Sequence, residues 1–222
     1  MEKLLENLAI CVARGKATRD TPYPADMNGK DGASEITREL LDAGVSPNDI
    51  LQKAMIIGMH KIGEDFARGK AFIPEILIAA KAMNAAMEHL KPFFETGEAV
   101  YKGTVILGTV AGDLHDIGKK IVRMVLEGDG WKIVDLGVDV QVNKFLDAIN
   151  QNPGCIVGMS ALLTTTMSNM EQFVKQIKKE IPDINIFLGG APLSQEFSNR
   201  IGADGYFPEP HSFAKHLKAI KN

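Results

Sequence analysis

The feature that most constrains this chain is a change of hydrophobic period near residue 100. From Glu2 to Glu95 apolar residues recur every three or four positions, the spacing of one helix face. Leu4, Leu5, Leu8 and Val12 mark a first helix, and Ile36, Leu40 and Leu41 a second. Ser46-Pro47-Asn48-Asp49 supplies a capping serine and a proline suited to the first helical position. The helix it opens carries Ile50, Leu51, Ala54, Met55, Gly58, Ile62 and Phe66 and ends near Gly69. Pro74 opens another, with Ile76, Leu77, Ala80, Met83, Met87 and Leu90 on one face. Between the first two, the Pro-, Gly- and Asp-rich stretch from Gly15 to Gly32 reads as a surface loop. Four helices joined in this way predict a small antiparallel bundle. After about Lys102, short apolar runs alternate with amphipathic stretches. The runs beginning at Thr104, Lys132, Cys155, Asn185 and Gly205 predict strands, and the stretches beginning near Ile117, Val142, Ser168, Ser194 and Ser212 predict helices. The expected class is α + α/β, with a helical module at 1–95, a linker at 96–103 and a five-stranded parallel-sheet domain at 104–222.

If that sheet has the flavodoxin-like strand order 2-1-3-4-5, its switch point lies between strands one and three, where open α/β sheets bind ligands. Three glycine-rich or polar loops then converge there. They are Gly112-Asp113-Leu114-His115-Asp116-Ile117-Gly118, the segment Ser160 to Met167, and Gly189-Gly190-Ala191-Pro192. A histidine in the first loop can ligate a metal through one ring nitrogen while a nearby carboxylate orients the other. The other four histidines have no motif around them and read as surface residues. A formal net charge of −3 provides no electrostatic footprint for nucleic acid or an anionic membrane. Cys11 and Cys155 are far apart and outside any metal-ligand spacing, so neither a disulfide framework nor a structural zinc is expected. No apolar run approaches the ~18 residues of a membrane span, and the opening Met1-Glu2-Lys3-Leu4-Leu5-Glu6 is patterned as an amphipathic helix, not a signal peptide. A cytoplasmic protein is expected.

Taken together, Asp113-x-His115-x-x-Gly118, Ser160-x-Leu162 and Gly189-Gly190 resemble, in order and spacing, the signature of corrinoid (cobalamin) binding domains. The helical half resembles the cap module that accompanies such domains in methionine synthase and in small corrinoid proteins. The likeness covers nearly the whole chain apart from the loop Lys16–Lys30, which looks like an insertion. It implies a Rossmann-like domain beneath a four-helix cap, with cobalamin or a related methylcobamide as cofactor and its cobalt as the metal. By that likeness His115 is the lower axial cobalt ligand in place of the cofactor's own base, and Asp113 bonds the far imidazole nitrogen. A serine completes this relay in methionine synthase, and by position Thr166 is its counterpart. The displaced nucleotide tail is expected along the strand edge, where Gly118, Gly189 and Gly190 permit close approach and Ser160, with Thr164 or Thr166, offers hydroxyls. Gly112, Leu114, Asp116, Ile117 and Leu162 complete the expected cofactor-binding set. Ser160 and the threonine run also suit helix capping, and Asp116 a helix N-terminal charge. Phe72 and Met59 are candidates either for the upper corrin face or for packing within the bundle.

The chain also resembles the corrinoid subunits of methanol, methylamine, quaternary-amine and methoxyaryl methyltransferase systems, which implies a methyl carrier of anaerobic one-carbon metabolism. Co(I) would accept a methyl group from a substrate held by a substrate-specific methyltransferase. Methyl-Co(III) would deliver it to a second methyltransferase with a folate or thiol acceptor, and a reductive activator is the third expected partner. No substrate pocket is recognisable in the chain, so no catalysis is expected of it alone. A cobalamin-dependent regulator usually adds a DNA-binding domain, and the cobalamin subunit of a mutase generally lacks the helical module. A flavodoxin-like or receiver-like domain for FMN or phosphate leaves the three-part spacing unexplained.

Overall fold

The computed structural model describes residues 1–96 and 100–220. The chain divides into two compact units, Met1–Tyr101 with Glu127–Gly130, and Lys102–Leu126 with Trp131–Asn222. In the first, α1 (Glu2–Arg14), α2 (Ala33–Asp42), α3 (Pro47–Ile50), α4 (Ile56–Ala67) and α5 (Ile73–Glu95) enclose a core containing Leu8, Val12, Leu40, Ile50, Met55, Met83 and Leu90, all fully buried. The run expected as one helix after Ser46 continues from α3 into α4 through a π-helical turn, Leu51–Met55. Gly58 lets α4 approach α1 closely, since a Cβ there would stand 2.6 Å from the Ala9 carbonyl oxygen. Of the expected linker, residues 97–99 lie outside the described residues; Tyr101 stacks on Phe94 of α5 with ring centroids 4.1 Å apart. No helix among the described residues is long and apolar enough to cross a membrane.

The segment after α1 is more than a surface loop. Gly15 ends α1 in the left-handed region (φ 77°), and Lys16 is fully buried. The lysine's ammonium donates to the carbonyls of Arg19 at 3.1 Å and Thr21 at 2.5 Å, so the loop wraps a charge that its own backbone satisfies. The return strand of the loop is pinned at its root, with Ala33 N–H donating to the Lys16 carbonyl at 2.8 Å and Ser34 N–H to that of Ala17 at 3.0 Å. Three histidines expected at the surface have partners. His60 Nε2 lies 2.7 Å from Asp129 Oδ1, His89 Nε2 lies 2.8 Å from Ser34 Oγ, and His216, in the second unit, packs with its ring centroid 5.1 Å from that of Phe187.

Both cysteines are buried and unpaired. Burial pushes the Cys11 thiol up to about 11 and also raises that of Cys155. The thiolate is the nucleophile, so a rise of that size at Cys11 cuts its reactive fraction at pH 8 by roughly 100-fold before access is considered. Native protein is therefore expected to resist a thiol reagent such as Ellman's at pH 8, and to release two equivalents once unfolded. Rapid labelling of the native chain would contradict the burial.

In the second unit, β1 (Thr104–Thr109), β2 (Lys132–Asp135), β3 (Ile156–Ser160), β4 (Asn185–Gly189) and β5 (Gly205–Tyr206) form one parallel sheet in the order β2-β1-β3-β4-β5. It is flanked by α6 (Ile117–Gly128), α7 (Val142–Gln151), α8 (Met167–Glu180), α9 (Gln195–Ile201) and α10 (Pro210–Ile220). Successive strand residues point to opposite faces. Ile106, Val157 and Ile186 accordingly pack in one cluster with Phe145, Met170 and Val174. Val105, Ile156 and Phe187 pack in a second cluster with Leu126, Trp131 and Phe213. Burial on both faces is why the middle of β1, Val105–Leu107, is a continuous apolar run. The register aligns Thr109 with Ser160 and Ser160 with Gly189, so β1, β3 and β4 end side by side at the switch point. The threonine run Thr164–Thr166 forms a 3-10 turn ahead of α8, and α10 begins at Pro210, ahead of the expected Ser212.

Candidate functional site

The loop after β1 is tied down at almost every residue. Asp113 N–H donates to the Val110 carbonyl at 3.1 Å, the Thr109 hydroxyl donates to the His115 carbonyl at 2.9 Å, and the Asn169 amide donates to the Ala111 carbonyl at 2.9 Å. Gly112 has a φ of 84°, which favours glycine at that turn. Asp113 is fully buried beneath this loop. Its Oδ1 accepts from the His115 N–H at 3.0 Å and from His115 Nδ1 at 2.8 Å. Its Oδ2 accepts from the N–H groups of Leu162 at 2.6 Å and Leu163 at 3.1 Å, and lies 3.1 Å from Thr166 Oγ1. Burial alone would raise this carboxyl, but the donated hydrogen bonds from Leu162, His115 and Leu163 hold it well below the usual carboxylate range. An ionised carboxylate only accepts, so His115 Nδ1 carries a proton, and in the neutral imidazole the lone pair is on Nε2. The His115 side chain is 52% exposed. Its ring is thus oriented from behind and open in front.

In front lies a cavity of about 420 Å³. Leu114, His115, Asp116, Ile117 and Gly118 line it from the first loop, Ser160 and Leu162 from the second, and Gly189 and Gly190 from the third. Of the remaining expected residues, Asp113 and Thr166 are buried behind the wall, while Gly112 and Thr164 do not line it; Thr164 is exposed on its turn. In the helical unit, Met59 is buried and Phe72 is 65% exposed at the start of α5. A deep slot along the strand edge is what the resemblance implies, but sequence reasoning did not name the residues that give the cavity its depth, Leu107, Val122, Gly158, Phe187, Phe207 and Phe213. Gly158 was the available signal, because a glycine inside a strand often marks close approach by a ligand. Lys119 was missed as well; it is buried, lines the cavity, and pairs with Asp135. Burial opposes the ionisation of Asp135, yet the Lys119 ammonium and the Gly137 N–H hold its carboxyl below the ordinary range.

The space and the donors fit a corrinoid. Gly118 lines the cavity, and a Cβ there would meet nothing within 4 Å. Leu114 and Ile117, 72% and 74% exposed, form an apolar rim beside the His115 imidazole. Such a rim suits a large macrocycle with an apolar face.

Comparison with known proteins agrees with this geometry. Residues 103–213 match a family model described as a B12 binding domain, and residues 29–91 match a second model of the same description. Trimethylamine corrinoid protein 1 of Methanosarcina acetivorans is 40% identical over 192 residues, spanning 85% of this chain and 89% of that one. The methanol:cobalamin methyltransferase complex MtaBC from Methanosarcina barkeri contains a chain that superposes with a TM-score of 0.83 at 27% identity, covering 99% of this chain and 80% of that chain. A cobalamin-binding protein from Desulfitobacterium hafniense superposes with a TM-score of 0.71 at 28% identity, covering 97% of each. With its matched B12 binding domains, its parallel sheet and its histidine loop at the switch point, the chain belongs to the family of cobalamin-binding corrinoid proteins.

Proposed function

We infer that this protein is the methyl-carrying corrinoid subunit of a methyltransferase system, with His115 as the lower axial ligand of cobalt. The observation that carries the reading is the pair Asp113–His115, 2.8 Å apart at the mouth of the cavity. A bound corrinoid supplies a cobalt centre that takes up and gives away a methyl group. The chain's own residues orient and tune. Asp113 fixes the tautomer and raises the basicity of the imidazole, and Thr166 and the Leu162 and Leu163 amides keep that carboxylate in place. Gly118, Gly189 and Gly190 leave room for the cofactor's tail, and Ser160 offers it a hydroxyl. The helical module at 1–95 serves as the cap, with 96–103 as its hinge.

A substrate-specific methyltransferase as donor partner is supported by the structural likeness to a chain of the methanol:cobalamin methyltransferase complex. The trimethylamine corrinoid proteins among its relatives support a methylated amine as the source. Onward delivery runs to a second methyltransferase with a folate or thiol acceptor, a reductive activator restores the cobalt, and the whole cycle is cytoplasmic. The test is reconstitution with hydroxocobalamin, gel filtration and a visible spectrum, beside His115→Ala. Retained corrinoid with a spectrum that shifts in the variant is expected. No retained corrinoid would sink the whole reading, and a spectrum indifferent to the substitution would remove the axial-ligand role.

A further inference from the structure

The loop that carries His115 is gripped by a neighbouring segment, the turn from the end of β2 toward α7, none of whose residues 135–139 lines the cavity. Asp139 stands at a φ of 52°, in the left-handed region that aspartate tolerates better than most side chains. Its Oδ1 accepts the Gly112 N–H at 2.7 Å, and its own N–H donates to the Asp113 carbonyl at 3.0 Å. Two residues earlier, the Gly137 carbonyl accepts the Thr109 N–H at 3.1 Å, and Thr109 in turn holds the His115 carbonyl. At the start of the segment Asp135 accepts from the Gly137 N–H at 3.0 Å and pairs with Lys119, whose side chain is 3% exposed in the first turn of α6. The histidine is therefore held on both flanks, at Gly112–Asp113 before it and at Lys119 after it, by carboxylates of one turn.

We propose that Asp135–Asp139 is the positioning element of the His115 loop, and that the Asp139 carboxylate, acting through the Gly112 N–H, sets where the imidazole stands. Asp139 is a positioning residue: it reaches the ring only through Gly112 and Asp113. The physical reason is local. Without an acceptor at Asp139, the Gly112 amide turns to solvent, and the loop loses the bond that seats it ahead of Asp113. Outer partners of this kind orient a metal ligand without touching the metal. Only the last step, from imidazole position to cobalt ligation, rests on the function proposed above.

Two variants separate the carboxylate from the backbone. Asp139→Asn keeps an acceptor on a residue that tolerates positive φ, and Asp139→Gly keeps the conformation while removing the acceptor. In the apo-protein, amide exchange at Gly112 and His115, read by NMR, is expected to quicken about tenfold in Asp139→Gly and to stay near wild type in Asp139→Asn. The thermal midpoint should barely move in either, because the Asp139 side chain is exposed. Loaded with hydroxocobalamin, Asp139→Gly should retain it roughly tenfold less tightly and move its spectrum toward that of His115→Ala, with Asp139→Asn restoring both. Equal exchange in the two variants, fast or slow, overturns the proposal. So does an unchanged spectrum in loaded Asp139→Gly when the wild-type spectrum depends on His115. If exchange behaves as expected but the wild-type spectrum ignores His115→Ala, loop positioning stands and the axial-ligand reading falls.

Discussion

Replacing Asp113 with alanine is expected to lower the unfolding midpoint of the α/β unit by about 10 °C, a loss of roughly 2–4 kcal/mol at pH 7. The carboxylate is fully buried and accepts from the Leu162, Leu163 and His115 amides and the His115 ring. Truncation leaves inward-facing donors without an acceptor, and each such donor costs about 1–3 kcal/mol when water cannot reach it. Asparagine is no rescue. Its amide nitrogen must face donors on one edge or the other, so Asp113→Asn should lose nearly as much. The pH dependence has a definite sign. Hydrogen bonds hold the folded carboxyl below its ordinary value, so its contribution is complete above about pH 4 and fades as pH falls through that range toward the folded value. The gap between wild type and Asp113→Ala should therefore be full at neutral pH and narrow below about pH 4. Thermal unfolding from pH 7 down to pH 3 checks this. A variant within about 0.5 kcal/mol of wild type at pH 7 would mean that this four-donor arrangement does not hold in solution.

The second large effect comes from two glycines that line one cavity for different reasons. Gly190 has a φ of 136°, and a Cβ there would stand 1.8 Å from the Ala161 carbonyl oxygen. Alanine at this position must both strain the backbone and push apart the loops after β3 and β4, which are joined by the Ala161 N–H to the Gly189 carbonyl at 3.1 Å. Strain of this kind costs about 1–3 kcal/mol before the clash is added. Gly190→Ala should lower apo-protein stability by roughly 3 kcal/mol and abolish corrinoid retention. At Gly118, in the first turn of α6, a Cβ meets no neighbour. Gly118→Ala should leave the apo-protein as stable as wild type or up to about 1 kcal/mol more so, through higher helix propensity. Gly118 nevertheless lines the cavity, and a methyl group added there should compete with the cofactor, so retained hydroxocobalamin should fall. Chemical denaturation of both apo-variants, paired with gel-filtration retention, tells the cases apart. Gly190→Ala as stable as wild type would show that the loops can part at little cost.

Much of the fold was legible because its signals are local. Continuous apolar runs such as Val105–Leu107 mark strands buried on both faces, and helices declare themselves by three-to-four spacing and by starts such as Ser46-Pro47. The axial-ligand candidate was legible for the same reason, since Asp113, His115 and Gly118 are neighbours in sequence, and strand order alone carried Ser160 and Gly189-Gly190 to the same edge. Where residues act across long separations, sequence was a poor guide. Lys16 sits in a Pro- and Gly-rich stretch where a lysine reads as solvated, yet backbone carbonyls folded around it make it core. Thr164 and Thr166 look alike in a run of three, and a 3-10 turn sends one to solvent and the other against Asp113.

What sequence by itself determined, then, was the list of elements and the histidine with its carboxylate, because periodicity and short-range spacing are properties of the chain before it folds. Tertiary structure alone decided how firmly that histidine is held. The donors that converge on Asp113 Oδ2 come from about fifty positions downstream, and the turn that steadies Gly112 and Lys119 belongs to the neighbouring strand β2. No pattern in the chain announces those partners, because a hydrogen bond between distant loops exists only once the parallel sheet has set them side by side.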